Sequence, residues 1–478
     1  GHFMIYAQGI ILMPLIIKTA GPAVYGGYIL LLGLTGFIFG ISSLGAGFKC
    51  SRFLPASEKS EERRALFFPP FYFQFLSLSL LSLLFFCFYP LLERFFLKGE
   101  ILFSKGLIFP YLFSLFLFSQ ATGYFLSTHR VRYFNYATIA SPYLNIALVA
   151  LFYFQTRRLT VNILFVSQTL VYALLLAPLA VKLFGELGLA NPFLNRKALW
   201  EDIKLGFPLK LNYVMDFLLG SGDRYVMTYF LSVAAVGYYN PGYALGSLIL
   251  FFPRVSGIVL LPLLSKAVDS GKDLEAYHML NYTVKGFLLL AIPFIVGSAV
   301  MSRPLLQLFA NADIARQAWL VTPVVAAATL FFGLNLILSN ILWVRMKTSV
   351  MFHMNVIAAV VNVSLNIVFL QIFKNILVAA FVTLVSYLIV FIFVCRMAMR
   401  DWPVNFDFAA IAKSMLATVL MGAVMSGLLF SFQGRDMGIL FILIGSLAGC
   451  LTYGGALFAL KIFSEKEMLY FKKAFSWQ

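Results

Sequence analysis

Long apolar stretches alternate with short polar ones along this chain, and the stretches set its elements. Uncharged runs occupy 19–48, 65–92, 106–128, 133–156, 159–181, 225–253, 286–302, 317–344, 348–373, 375–395, 414–434 and 437–460. A spanning helix needs about 20 apolar residues, and most of these runs reach that length. The run 225–253 is interrupted by Val-Gly-Tyr-Tyr-Asn-Pro-Gly at 236–242. It is expected to hold the end of one helix and the start of the next, with Asn240 as N-cap and Pro241 at the first helical position. Two weaker segments complete the set. One is Met4 to Ile17, short for a span; Gly1-His2-Phe3 ahead of it reads as a cloning remnant and is set aside. The other, around residue 218, is interrupted by Lys210, Asp216, Asp223 and Arg224. The pattern predicts an all-α polytopic membrane protein of about fourteen transmembrane helices, centred near residues 10, 36, 78, 116, 144, 170, 218, 251, 291, 330, 360, 385, 421 and 449.

Composition agrees. The 478 residues are 61% hydrophobic and 12% charged, with a mean hydropathy of +0.91, where a soluble chain carries roughly 25% charged residues. The net charge of +17 would suit nucleic acid, but the charge sits in short connections between spans, so no nucleic-acid partner is expected. Alternate connections divide the Lys and Arg unevenly, 24 against 10. The positive-inside rule then places both termini, the loop 49–64 and the segment 182–210 in the cytoplasm. Cys50, Cys87, Cys395 and Cys450 are scattered without a Cys-x-x-Cys spacing, so neither a metal site nor a disulfide framework is expected. No phosphate-binding glycine loop and no His-Glu-x-x-His occurs, and His129, His278 and His353 lie at loops or span ends. With no acid/base constellation, the chain reads as a non-enzyme without a cofactor, leaving Na⁺, H⁺ or membrane potential open as coupling.

The chain also resembles itself. Leu144-Asn145-Ile146 matches Leu365-Asn366-Ile367 at an offset of 221, Arg130-Val131-Arg132 matches Arg345-Met346-Lys347 at 215, and Ala23-Val24-Tyr25-Gly26 matches Ala235-Val236-Gly237-Tyr238 at 212. The matches imply a duplication: a six-helix bundle at 1–185, a second at 200–396, and two further helices at 408–462 outside the repeat. Matching helices lie an even number apart, so both halves cross the membrane in the same sense. Transporters built from such parallel repeats usually bind substrate between the halves.

Polar residues within the spans fall into stripes. On the segment near 218, Asn212, Asp216, Gly220, Asp223 and Met227 share a face about 80° wide. Arg224 sits at its edge, and Gly220-Ser221-Gly222 invites a bend. Adjacent residues on a helix do not face each other, so Asp223 and Arg224 are each expected to pair with another helix. Tyr243, Ser247, Phe251 and Arg254 share a face of the next segment, and Asn355, Asn362 and Asn366 share one further on. Each has a bland alternative. Asparagines in membrane bundles often bond neighbouring helices, and Lys18, Lys49 and Arg52 can snorkel to headgroups. Arg254 has no acid within a turn of it. A mid-membrane arginine calls for water or an anion, because burying the charge costs about 2.5–3.5 kcal/mol on insertion scales.

Three stretches carry a family resemblance: Gly21-Pro22-Ala23-Val24-Tyr25-Gly26-Gly27-Tyr28 with Leu44-Gly45-Ala46-Gly47 and Arg52-Phe53; Asp223-Arg224 with Val236-Gly237-Tyr238-Tyr239; and the asparagine-rich segment ending Leu365-Asn366-Ile367. The chain resembles the polysaccharide transporter family of the multidrug/oligosaccharidyl-lipid/polysaccharide (MOP) flippase superfamily, which includes the Wzx-type O-antigen flippases. The resemblance implies two bundles around a central cavity opened alternately to each side of a bacterial cytoplasmic (inner) membrane. The cargo it implies is a polyprenyl-pyrophosphate-linked oligosaccharide, with a polysaccharide polymerase as partner and a monomeric chain. Related lipid II flippases place basic residues in that cavity, and the matching positions here are Lys18, Arg52 and Arg254. Arg224, Asp223, Asp216, Asn212, Tyr243, Asn362 and Asn366 complete the expected substrate-binding set, with Gln120 as a further sugar contact. Guanidinium forks suit pyrophosphate oxygens. Two other readings stay open: a cation-coupled multidrug antiporter using Asp216 and Asp223, and a polytopic glycosyltransferase or ligase.

Overall fold

The computed structural model describes residues 2–188, 196–431 and 438–462. The connection 189–195 and the tail from 463, whose basic residues entered the charge count, lie outside the described residues. Among those described, every regular element is a helix: α1 His2–Ser42, α2 Phe48–Phe53, α3 Ser60–Leu92, α4 Ile108–Ser127, α5 Val131–Thr156, α6 Val161–Leu187, α7 Arg196–Phe230, α8 Val233–Gly246, α9 Phe251–Asp269, α10 Asp273–Phe309, α11 Ala312–Ala318, α12 Val321–Val344, α13 Thr348–Phe373, α14 Ile376–Asp401, α15 Phe408–Ser431 and α16 Gly438–Ala459. Twelve helical stretches among the described residues are long and apolar enough to cross a bilayer. The protein is a multi-pass membrane protein.

The difference from fourteen has two causes. The segments near 10 and 36 are two helices, as expected, that meet at Gly21 and count as one stretch, α1; Gly21 breaks the helix with φ 84 and ψ 174, a conformation open to glycine without a Cβ penalty. The polar α7 is the other: it is 35 residues long but does not meet the hydropathy of the rest. The junction near 240 also differs from expectation. Asn240 and Pro241 lie inside α8, which begins at Val233. Its start is capped from outside: Glu100 Oε2 accepts from the Val233 and Ala234 amides at 3.1 and 3.3 Å, and Ser232 Oγ accepts from the Ala235 amide at 3.0 Å. A proline tolerated in a membrane helix was misread as a helix start. α7 likewise runs helically through Gly220-Ser221-Gly222.

The chain divides into two compact units, Gly1–Gly237 and Tyr238–Gln478. In the first, α4 packs on α5 and α6, and α1 packs on α3, α5, α6 and α7. Its core is aromatic: Phe67, Phe68, Tyr124 and Phe125 are buried together beside Phe71, Tyr72 and Tyr172. In the second, α12 lies at the centre, against α9, α10, α13 and α14, while α15 and α16 pack on each other and on α10.

The units carry the same local device. α5 and α13 are each 26 residues long and begin 217 positions apart, at Val131 and Thr348. Each follows a turn with a left-handed residue, His129 or Met346, and each ends in a left-handed cap, Arg157 or Lys374. All four matched positions agree on one register. The Leu-Asn-Ile match at 221 is therefore one helical turn out, and Asn145 corresponds to Asn362.

Candidate functional site

The motif glycines act first as joints. Within the first unit, α1 and α8 cross so closely that a Cβ on Gly26 would overlap the Val233 carbonyl, and a Cβ on Gly237 would overlap the Pro22 carbonyl. The contact is reciprocal: Gly26 and Gly237 are 211 apart, as are Pro22 and Val233.

A second joint closes the other end of α1. Gly45, at φ 93, packs backbone to backbone on Gly206 of α7, leaving no room for a Cβ on either. Asp202, 5% exposed, accepts from the Gly47 amide at 2.8 Å and the Lys49 amide at 2.7 Å. Lys49 Nζ reaches Glu201 at 3.2 Å. The Leu44-Gly45-Ala46-Gly47 motif is thus the turn that fastens α1 and α2 to α7. Burial, with Asp202 adding to it, pushes the nearby Cys50 thiol up to about 12, so it stays a thiol.

Along α7, Tyr225 donates to the Leu30 carbonyl at 2.9 Å, Tyr213 to that of Gly36 at 3.0 Å, and Lys210 Nζ to that of Gly40 at 3.0 Å. Small residues on α1 let these long side chains in. Deeper on α7, Asp223 and Arg224 are 2% and 8% exposed. They bond each other directly, Arg224 Nη1 to Asp223 Oδ1 at 3.3 Å, and Asp223 Oδ1 also accepts from the Arg224 amide at 2.8 Å. Arg224 Nη1 further donates to the Gly220 carbonyl at 2.6 Å. The expectation that neighbours cannot meet fails because the carboxylate folds onto the next amide and the long guanidinium curls back. Asn212 is half-buried and Asp216 exposed on the same helix.

The remaining expected residues belong to both units. Lys18 is exposed, and the exposed Arg52 lies over the Phe53 ring at 5.5 Å. In the second unit Tyr243 is half-buried, and Arg254 is exposed on the first turn of α9, just after the tight 3₁₀ turn Ser247–Leu250. Asn362 and Asn366 are fully buried. Asn362 Nδ2 donates to Ser386 Oγ on α14 at 3.2 Å, and Asn366 Nδ2 donates to the Asn362 carbonyl at 2.9 Å. The first bond joins α13 to α14, and the second stays within α13.

Sequence reasoning did not single out the cavity of about 430 Å³ within the first unit, walled by the ends of α1 and α4, the start of α3, α2 and α7. Its polar lining includes Ser43, Gln74, Ser119, Gln120, Lys210 and Tyr213. Gln120 donates to Gln74 at 2.8 Å, Gln74 to Ser42 at 3.0 Å, and Ser42 to the Phe39 carbonyl at 2.7 Å, so one relay links three helices. Lys210 was legible only as an interruption of α7.

A family model described as polysaccharide biosynthesis protein matches residues 1–268. The chain belongs to that family. The match contains Lys18, Arg52, Asn212, Asp216, Asp223, Arg224, Tyr243 and Arg254, and a second model, MatE, matches residues 208–368 of this family member. Among solved structures, the lipid II flippase MurJ in an inward closed conformation is 16% identical, with 96% of this chain and 98% of that one covered at a TM-score of 0.75. An inward-facing multidrug resistance MATE family transporter of the MOP superfamily is 14% identical, covering 86% and 95% at 0.67. A MOP superfamily transporter from Pyrococcus furiosus is 14% identical, covering 83% and 91% at 0.54. No curated protein gives a significant sequence match. This polysaccharide biosynthesis family member has the fold of the MOP flippases and transporters, and the families and folds it matches are those of transporters rather than enzymes.

Proposed function

We propose that the protein flips a polyprenyl-pyrophosphate-linked oligosaccharide, an O-antigen or other polysaccharide repeat unit, from the cytoplasmic to the outer leaflet of a bacterial inner membrane, exposing it to each side in turn. The observation that carries this reading is the polysaccharide biosynthesis family match, whose span includes Arg52, Asp223, Arg224 and Arg254. The excess of cation supports it: a net charge of +17 favours an anionic cargo. Arg52 and Arg254 are exposed residues, and guanidinium forks grip pyrophosphate in bidentate fashion. The termini are cytoplasmic in this reading, on the loop-charge asymmetry. Labelling of a cysteine at Ser57 by an impermeant maleimide in intact cells, with none at Asn311, would reverse that orientation.

The MatE match at 208–368 favours a second reading, a cation-coupled multidrug antiporter using Asp216 and Asp223. Purified protein in liposomes separates the two. Translocation of a fluorescent polyprenyl-pyrophosphate oligosaccharide, measured by accessibility to an external lectin, is expected from the flippase. Efflux of ethidium driven by a Na⁺ or H⁺ gradient, with no movement of the lipid-linked sugar, would replace it.

A further inference from the structure

We propose that the 430 Å³ cavity inside the first unit is a binding site for an anionic sugar, a hydroxyl-rich ring carrying a phosphate group. Neither Arg52, Asp223, Arg224 nor Arg254 lines it, so it is separate from the pyrophosphate grip proposed above. Its size falls in the range of about 300–1,000 Å³ that small-molecule sites occupy. No carboxylate is among its lining residues, and Lys210 supplies its positive charge. Lys210 Nζ spends one of its three donors on the Gly40 carbonyl, leaving donors for an anion. Around it stand glutamine amides and serine hydroxyls, the donor–acceptor groups that match a ring of hydroxyls. Phe39 and Tyr213 add apolar faces for the carbon side of a sugar.

One side chain lacks what such a ligand provides. Ser43 is 7% exposed, lines the cavity, and its Oγ has no hydrogen-bond partner in the structure. Buried hydroxyls in native proteins are nearly always bonded to protein or ordered water, and a ligand hydroxyl in the cavity would satisfy this one. The Gln120–Gln74–Ser42 relay holds the neighbouring amides in fixed orientation, so that wall is preorganised for binding.

The sugar could come from the headgroup of a lipid-linked cargo, which rests on the function proposed above, or from a free sugar phosphate. The test uses the full chain purified in detergent, with glucose 1-phosphate, glucose and inorganic phosphate as probes and saturation-transfer NMR as readout. Wild type is expected to bind glucose 1-phosphate more tightly than either fragment. Lys210→Met is expected to weaken glucose 1-phosphate by about 10- to 150-fold, the loss of a charge-assisted bond, while glucose binds as before. Ser43→Ala is expected to weaken it by about 2- to 10-fold with an unchanged or raised Tm, because no bond within the protein is lost. That variant keeps the test decisive should Lys210→Met fold poorly. No binding to wild type, or equal affinity in wild type and both variants, overturns the site; phosphate binding as tightly as glucose 1-phosphate overturns the sugar. Inhibition of lipid-linked oligosaccharide transport by glucose 1-phosphate in liposomes assigns the headgroup as source, and transport indifferent to saturating glucose 1-phosphate assigns the free metabolite. Binding by a wild type that moves no lipid-linked sugar defeats the flippase reading and leaves the cavity standing.

Discussion

Asp202→Ala is the sharpest test of how the α1–α2 turn is held. The carboxylate is 5% exposed and accepts two backbone N–H bonds at 2.8 and 2.7 Å, from Gly47 and Lys49. Each bond to a charged group contributes about 1.5–3 kcal/mol. Gly47 and Lys49 are only partly buried, so water recovers some of that, and a net loss of about 2–4 kcal/mol is expected. The loss is local. It should appear as opening of the turn rather than as global unfolding, since segments open with their own free energies. Hydrogen exchange of peptides spanning 43–55 then accelerates by about 30- to 700-fold, while peptides within 348–373 exchange as in wild type. Asp202→Asn keeps one acceptor oxygen and falls between. Wild-type exchange at 43–55 in Asp202→Ala would refute the reasoning and leave the turn to the Gly45–Gly206 packing and the Lys49–Glu201 pair.

Three further outcomes are expected. Gly237→Ala forces a methyl group into the Pro22 carbonyl, so it should destabilise the purified protein by about 1–3 kcal/mol or more, and a melting temperature within a degree of wild type would count against the crossing. Asp407, on the connection before α15, is held below the usual carboxylate range, first by the Ala410 amide and then by Lys285 at 3.0 Å. A depressed folded pKa gives stability above the ordinary value near 4 that fades as pH falls through the folded one, so the Tm gap between wild type and Asp407→Asn at pH 7 should close below about pH 4. Arg254→Ala should weaken binding of a polyprenyl pyrophosphate by about 10- to 150-fold, with Arg254→Lys between; wild-type affinity in folded Arg254→Ala would remove the residue from the proposed site.

The spans were legible because the bilayer imposes a length and a composition that few other environments do. Sixty-one per cent apolar residues, broken by short charged connections, leave little choice but a helical membrane protein. Junctions were less legible. Asn240-Pro241 carries the signature of a helix start, yet α8 begins at Val233, where Ser232 caps the Ala235 amide and Glu100, 133 positions away, takes the Val233 and Ala234 amides. The serine was a local signal that the stronger Asn-Pro pattern masked, and the Glu100 part of the cap is invisible to local sequence. The register of the expected repeat was not legible, since Leu-Asn-Ile recurs one helical turn away from the spacing that the left-handed turns at His129 and Met346 share. Charged candidates stood out by contrast with their apolar surroundings. The cavity did not, because serines, glutamines and glycines from five helices become one surface only after folding. Gln120 was expected to touch sugar but was not connected to a pocket, and Lys210 read as a flaw in a span.

The reciprocal glycine crossing bears on how the chain can vary. A Cβ at Gly26 meets the Val233 carbonyl and one at Gly237 meets the Pro22 carbonyl, so a side chain at either site spreads the same pair of segments. Once they are spread, the close approach no longer demands glycine at the other site. Relatives that have lost one of these glycines should therefore tend to have lost the other, leaving a covarying pair 211 positions apart.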